Sequence, residues 1–120
     1  MAKVLVIDDS PLIRAILGDY LHDLGHVAYL AATAAEALSL CAEQRPDLVI
    51  KDLVMKDTDP DALMRDLRLG NSALPIVVCT TSGRRQEVCA AIRAGADDFL
   101  IKPFSRMDVL RLLERYANAG

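Results

Sequence analysis

The stretch RPDLVIKDLVMKDTDP, residues 45–60, sets Asp52 at the end of one of the most apolar runs in the chain and follows it with a crowd of charges. Within it, DLVIKD (47–52) is apolar on consecutive positions instead of alternating ones. That is the pattern of a strand covered on both faces, as in a parallel sheet. Runs of similar length recur at KVLVID (3–8), VAYLA (27–31), PIVVCT (75–80) and DDFLI (97–101), so five strands are expected. Parallel neighbours need long crossovers, and helices must supply them.

Helix-length amphipathic stretches lie between and after these runs. The first opens with Ser10 as N-cap and Pro11 at the first helical position, repeats apolar residues from Leu12 to Leu24 at three- and four-residue steps, and closes at Gly25. Thr33 and Glu36 form a capping box for the second, which runs through Ala37, Leu38 and Cys41 towards Pro46. A third spans about 60–69, with Asp59 or Thr58 as cap. A fourth covers about 84–94, carrying Val88, Ala91 and Ile92 inward, with Gly95 placed to stop it. The last starts at Ser105, with Asp108 three residues on, and presents Val109, Leu110, Leu113 and Tyr116. Strict alternation of strand and helix predicts an α/β fold, a doubly wound five-stranded parallel sheet flanked by five helices.

A length of 120 residues, 52% of them hydrophobic, predicts a single domain over 1–120 with one core. The balance of 14 basic against 17 acidic residues, without long like-charge blocks, offers no basic face to nucleic acid or to a membrane surface. Cys41, Cys79 and Cys89 form no CxxC pair and lie inside periodic segments, against a disulfide framework or zinc site and in favour of a reducing cytoplasm. The apolar runs are strand-sized, and the opening MAKVLVIDDS lacks a signal-peptide core, so a mature soluble chain is expected.

In such sheets the ligand site lies beyond the carboxyl ends of the strands. Asp8 and Asp9 close the first strand, Asp52 the third and Thr80 the fourth, and Lys102 with Pro103 follows the fifth. Any one of these residues has an ordinary structural reading as a cap or a strand end. Together they place three carboxylates, a hydroxyl and an ammonium at one edge. Three carboxylates in a partly desolvated pocket repel one another unless a cation joins them, and a hard divalent ion such as Mg2+ meets that need with oxygen ligands. A carboxylate can also act as nucleophile towards phosphorus once the transferred group is neutralised and held in line. The constellation points to phosphoryl transfer onto Asp.

At this point the sequence resembles the receiver domain of bacterial two-component response regulators over essentially its whole length. The resemblance rests on VLVIDDS (4–10), PDLVIKD (46–52), PIVVCTTSG (75–83) and GADDFLIKPF (95–104), in order and spacing. It implies a flavodoxin-like sheet of order 2-1-3-4-5, with Asp52 as phosphoacceptor. It further implies Mg2+ bound by Asp9, Asp52 and the backbone carbonyl of Val54, with Asp8 acting through water. Lys102 would pair with the phosphoryl group and its bond to Pro103 would be cis, and Thr80 and Phe99 would form the switch pair. A sensor histidine kinase or histidine phosphotransfer protein would be the donor. The output protein or domain would be engaged through the fourth helix, fifth strand and fifth helix, with no direct nucleic-acid binding and no membrane contact by this domain.

The sequence departs from the family after the acceptor. Met55 is followed by Lys56 where a Pro is usual, and Pro60 stands where a Gly usually turns the chain, so this turn must be built without the freedom of Gly. Lys56 reads either as a solvated loop residue or as a cation that lowers Mg2+ affinity. Val54 and Ser82 occupy positions that tune dephosphorylation in the family, and neither has a long polar arm to orient water, which predicts slow self-dephosphorylation. Two other functions fit the residues less well. A phosphorylation-independent interaction module on a receiver fold conflicts with retention of all five polar residues. A haloacid dehalogenase-type phosphohydrolase would need Asp-x-Asp after the first strand, where this chain has adjacent Asp8 and Asp9.

Overall fold

The computed structural model describes residues 1–56, 58–81 and 85–116. Five strands, β1 (Lys3–Ile7), β2 (Val27–Ala31), β3 (Leu48–Asp52), β4 (Ile76–Thr80) and β5 (Asp98–Ile101), alternate with five helices. These are α1 (Pro11–Asp23), α2 (Ala34–Gln44), α3 (Pro60–Gly70), α4 (Arg85–Arg93) and α5 (Arg106–Tyr116). The strands form one sheet of order β2-β1-β3-β4-β5, all pairs parallel. The order reverses at β1, which feeds β2 on one side and pairs with β3 on the other. This reversal makes a crevice at the carboxyl ends of β1 and β3.

Consecutive apolar residues do what a doubly covered strand requires. On one face Leu5, Ile7, Val49, Ile76 and Val78 pack against Ala37 of α2, Leu63, Met64 and Leu67 of α3, and Ala91 of α4. On the other, Val4, Val6, Leu48, Ile50, Val77 and Cys79 pack against Leu17 and Leu21 of α1 and Val109, Leu112 and Leu113 of α5. Each fully buried aliphatic side chain contributes about 1.5–3 kcal/mol by removal from water, so these two layers dominate the stability. No helix among the described residues is long and apolar enough to cross a membrane.

The caps are as the sequence implies, with adjustments. Ser10 accepts from the Ile13 amide and Pro11 opens α1. Thr33 accepts from the Glu36 amide at 3.1 Å, and the Glu36 carboxylate returns by accepting the Thr33 hydroxyl and the amide of Ala32, both at 3.3 Å, in place of the Thr33 amide. Ser105 and Asp108 complete a reciprocal box, at 3.1 and 2.9 Å. Asp59 caps α3, taking the amides of Asp61 and Ala62 through one oxygen. Pro60 follows it at the first helical position, so among the described residues this turn needs no positive φ. Two expectations need correction. β1 ends at Ile7, which leaves Asp8 in the loop beyond it. Ile92 points outward, 44% exposed, because one turn of α4 faces the sheet chiefly through Ala91.

At the opposite edge of the sheet, Arg68 of α3 reaches across three segments. Its guanidinium donates to the carbonyls of Leu74 and Gly95 and pairs with Asp97 at 3.0 Å. Asp97 also accepts the Ile76 amide at 2.8 Å. One side chain thus ties the end of α3 to the starts of β4 and β5.

Candidate functional site

The crevice gathers its acids from β1 and β3. Asp8, immediately beyond β1, is buried, and both its oxygens are engaged: Oδ1 accepts the Ser10 amide at 2.9 Å and Oδ2 accepts Lys102 Nζ at 3.0 Å. Its carbonyl accepts Arg14 Nη1 of α1 at 2.8 Å. Asp9 is exposed, and its Oδ2 accepts the backbone amide of Lys56 at 3.0 Å. Asp52, the last residue of β3, is half-buried with Oδ1 3.5 Å from Lys102 Nζ. Each of the three acids offers a carboxylate oxygen, and these oxygens lie within 4.8 Å of one another.

Three carboxylates thus face one ammonium. Burial holds the Asp52 carboxyl above its ordinary value of 3.8; the charge of Asp8 adds to this, Lys102 pulls the other way, and Asp9 adds further. For Lys102, burial works to lower the pKa, but the hydrogen bond to Asp8 and the charges of Asp52 and Asp8 outweigh it and raise it. The surplus of negative charge and the all-oxygen donor set fit a hard divalent cation such as Mg2+, which favours carboxylate, carbonyl and water oxygens. Both Asp8 oxygens already have donors, so Asp9 and Asp52 are the acids best placed to touch an ion directly.

Above Asp52 opens a cavity of about 560 Å³ walled by Asp52, Val54, Thr80, Thr81, Glu87 and Lys102. Thr80 is buried at the end of β4, and its carbonyl accepts the Lys102 amide at 2.7 Å. The Lys102–Pro103 bond is cis. Cys79, the register partner of Asp52, is an inert neighbour, its thiol pushed up to about 12 chiefly by burial. A second cavity, about 660 Å³, lies between α2 and α3 near the opposite sheet edge, away from this cluster.

The structure therefore brings Asp8, Asp9, Asp52, Val54, Thr80 and Lys102 to one edge. Phe99 stands apart on β5, paired with Val78, 37% exposed and lining a cavity between β5 and α5. Lys56 enters the cluster through its backbone amide; its side chain is exposed and makes no ion pair among the described residues. Ser82 lies outside the described residues. Two contributors escape the sequence reading. Arg14 fixes the Asp8 carbonyl. Lys51, 1% exposed, donates from Nζ to the carbonyl of Asp52 at 2.8 Å. The signal for Lys51 is a lysine inside a strand covered on both faces, where no solvent is at hand. Burial lowers its pKa, while the charges of Asp52 and Asp61 act to raise it.

Comparison with known proteins gives a consistent picture. A family model described as the response regulator receiver domain matches residues 4–114. Response regulator MprA of Mycobacterium sp. (strain KMS) is 39% identical over 108 residues, covering 90% of this chain and 47% of the relative. The chain thus spans about half the length of that protein. Chemotaxis protein CheY of Halobacterium salinarum is 33% identical, with 92% of each chain covered. Among solved structures, chemotaxis protein CheY4 of Vibrio cholerae superposes with a TM-score of 0.90 at 31% identity, covering 97% of this chain and 98% of that one.

Proposed function

The chain belongs to the response regulator receiver domains, the phosphoaccepting switches of two-component signalling, and from that premise we propose that Asp52 is the residue phosphorylated. One observation carries the proposal: Asp52 is the carboxylate that lies at once in the acidic cluster, beside Lys102 and on the floor of the open cavity. A phosphohistidine of a sensor kinase or phosphotransfer protein is the donor. An Asp52 oxygen forms the new O–P bond as the P–N bond of the donor breaks, and the histidine nitrogen leaves with the bonding pair. Lys102 and the hydroxyl of Thr80 donate to the transferred oxygens. Mg2+, held by Asp9, Asp52 and the carbonyl of Val54, with Asp8 acting through water, would supply neutralising charge.

The receiver unit corresponds to residues 1–120 and works in the cytoplasm; the free cysteines support a reducing setting. Its chemistry is its own modification, followed by slow self-dephosphorylation. The new dianionic group draws Thr80 towards it, Phe99 turns inward from its exposed position, and the face formed by α4, β5 and α5 changes for the output protein or domain. Exposure of the protein to acetyl phosphate and Mg2+, read by intact mass, tests this. Uptake of one phosphoryl group is expected. No uptake by the wild type would favour a phosphorylation-independent interaction module.

Two smaller predictions belong to the loop after Asp52. The Lys56 amide, not its ammonium, competes for an Asp9 oxygen, so Lys56→Pro should bind Mg2+ about threefold more tightly while Lys56→Ala stays near wild type. Titration of the unphosphorylated protein decides, and equal effects in both variants would locate the cause in the side chain. Val54 is 69% exposed at the cavity wall and carries no group able to orient water. Val54→Asn should therefore change the lifetime of the phosphorylated form by severalfold, measured by its decay after donor removal.

A further inference from the structure

Among the described residues Lys51 has the largest fully buried side chain, yet the phosphoryl chemistry makes no use of it. It lies on the sheet face covered by α3 and α4, between Ile7 of β1 and Val78 of β4. A methionine would fill that space without the cost of burying an ammonium. What the ammonium does is visible at the next peptide. The β1–β3 ladder stops at the Ile7–Lys51 pair, so the Asp52 carbonyl lies beyond its last rung. Lys51 Nζ donates to that carbonyl at 2.8 Å, while the Leu53 amide of the same peptide donates to the Cys79 carbonyl, also at 2.8 Å. The peptide that follows the acceptor is thereby held at both its polar ends.

We propose that Lys51 is a positioning residue for phosphoryl transfer: from the covered face of the sheet its ammonium fixes the Asp52 carbonyl, and with it the direction in which the reacting carboxylate leaves the strand. The proposal rests on Asp52 being the acceptor. Two further acids surround the ammonium. Asp61 of α3 and Glu87 of α4 line, with Lys51, a cavity of about 180 Å³. Glu87 also walls the cavity above Asp52. Lys51 therefore stands between the acceptor peptide and the first turns of two helices, and the hydrogen bond it makes to the reacting residue goes to the backbone.

Lys51→Met tests this, with Asp52→Asn alongside. The maximal rate of phosphorylation by acetyl phosphate should fall about tenfold, since small misplacements of a nucleophile carry such losses. The half-saturating donor concentration and the Mg2+ affinity of the unphosphorylated protein should stay at wild-type values, and the thermal midpoint should not fall. A rate within about twofold of wild type would overturn the proposal, and so would a parallel loss of Mg2+ affinity, which would mean general damage to the site. If the variant does not fold, nuclear magnetic resonance of the wild type decides: a slowly exchanging Lys51 ammonium correlated with the Asp52 carbonyl supports the proposal, and a freely rotating one overturns it. Phosphorylation that survives Asp52→Asn would instead sink the acceptor assignment, a separate result.

Discussion

Asp52→Asn is expected to lower phosphoryl uptake from acetyl phosphate by at least about a hundredfold and, without metal, to fold more stably than the wild type at neutral pH. The two results have one origin. Asp52 is a carboxylate held beside Asp8 and Asp9 with only Lys102 to offset them, and burial with the charge of Asp8 raises its pKa above 3.8. A carboxyl whose folded pKa exceeds its unfolded value binds the proton more tightly when folded, so the wild type loses stability as pH rises from 3.8 through the folded pKa. Asn carries no such charge. The stability gap should therefore be full above that window and disappear below it. Denaturant unfolding at several pH values in chelator measures it, and a gap that persists in acid would point to packing instead of charge.

Lys102→Met is expected to act in the opposite sense, costing roughly 3 kcal/mol because it leaves Asp8 buried without its cationic partner. The side chains of Asp8 and Lys102 are 2% and 14% exposed, and their 3.0 Å contact is the closest ion pair within the cluster. Mg2+ should restore part of the loss, since a ligand that binds only the folded form stabilises it in proportion to its occupancy. The midpoint of thermal unfolding should thus rise more steeply with Mg2+ in the variant than in the wild type. Phosphorylation should stay slow even with the ion present, because the transferred oxygens lose the donor that Lys102 supplies. Full recovery of the phosphorylation rate would show that Lys102 serves charge balance alone.

The sequence makes the sheet legible because consecutive apolar residues in DLVIKD or PIVVCT satisfy two packed faces at once, and caps such as Ser10 and Ser105 act within four residues of themselves. The site is legible for a related reason: a strand end fixes where its residue lands, so Asp52, Thr80 and Lys102 can be placed together from topology alone. What escapes is whatever depends on the reach of a long side chain or on the backbone of a loop. Lys51 reads as one charge in a strand until its Nζ is seen on the Asp52 carbonyl. Lys56 reads as an ammonium, although its amide makes the contact. Ile92 fits the helical period of a buried position, yet a helix resting on the sheet through Ala91 leaves it outside.

Arg68 gives the molecule a mechanical asymmetry. Its ties to Leu74, Gly95 and Asp97 join α3, β4 and β5 at the sheet edge remote from Asp52, while the acceptor edge is bordered by loops and an open cavity. A beam clamped at one end deflects most at the other. The amino ends of β4 and β5 are therefore anchored to α3 by one guanidinium, whereas the carboxyl end of β4 borders the cavity at Asp52, so a load applied at that cavity meets strands already clamped at their far ends.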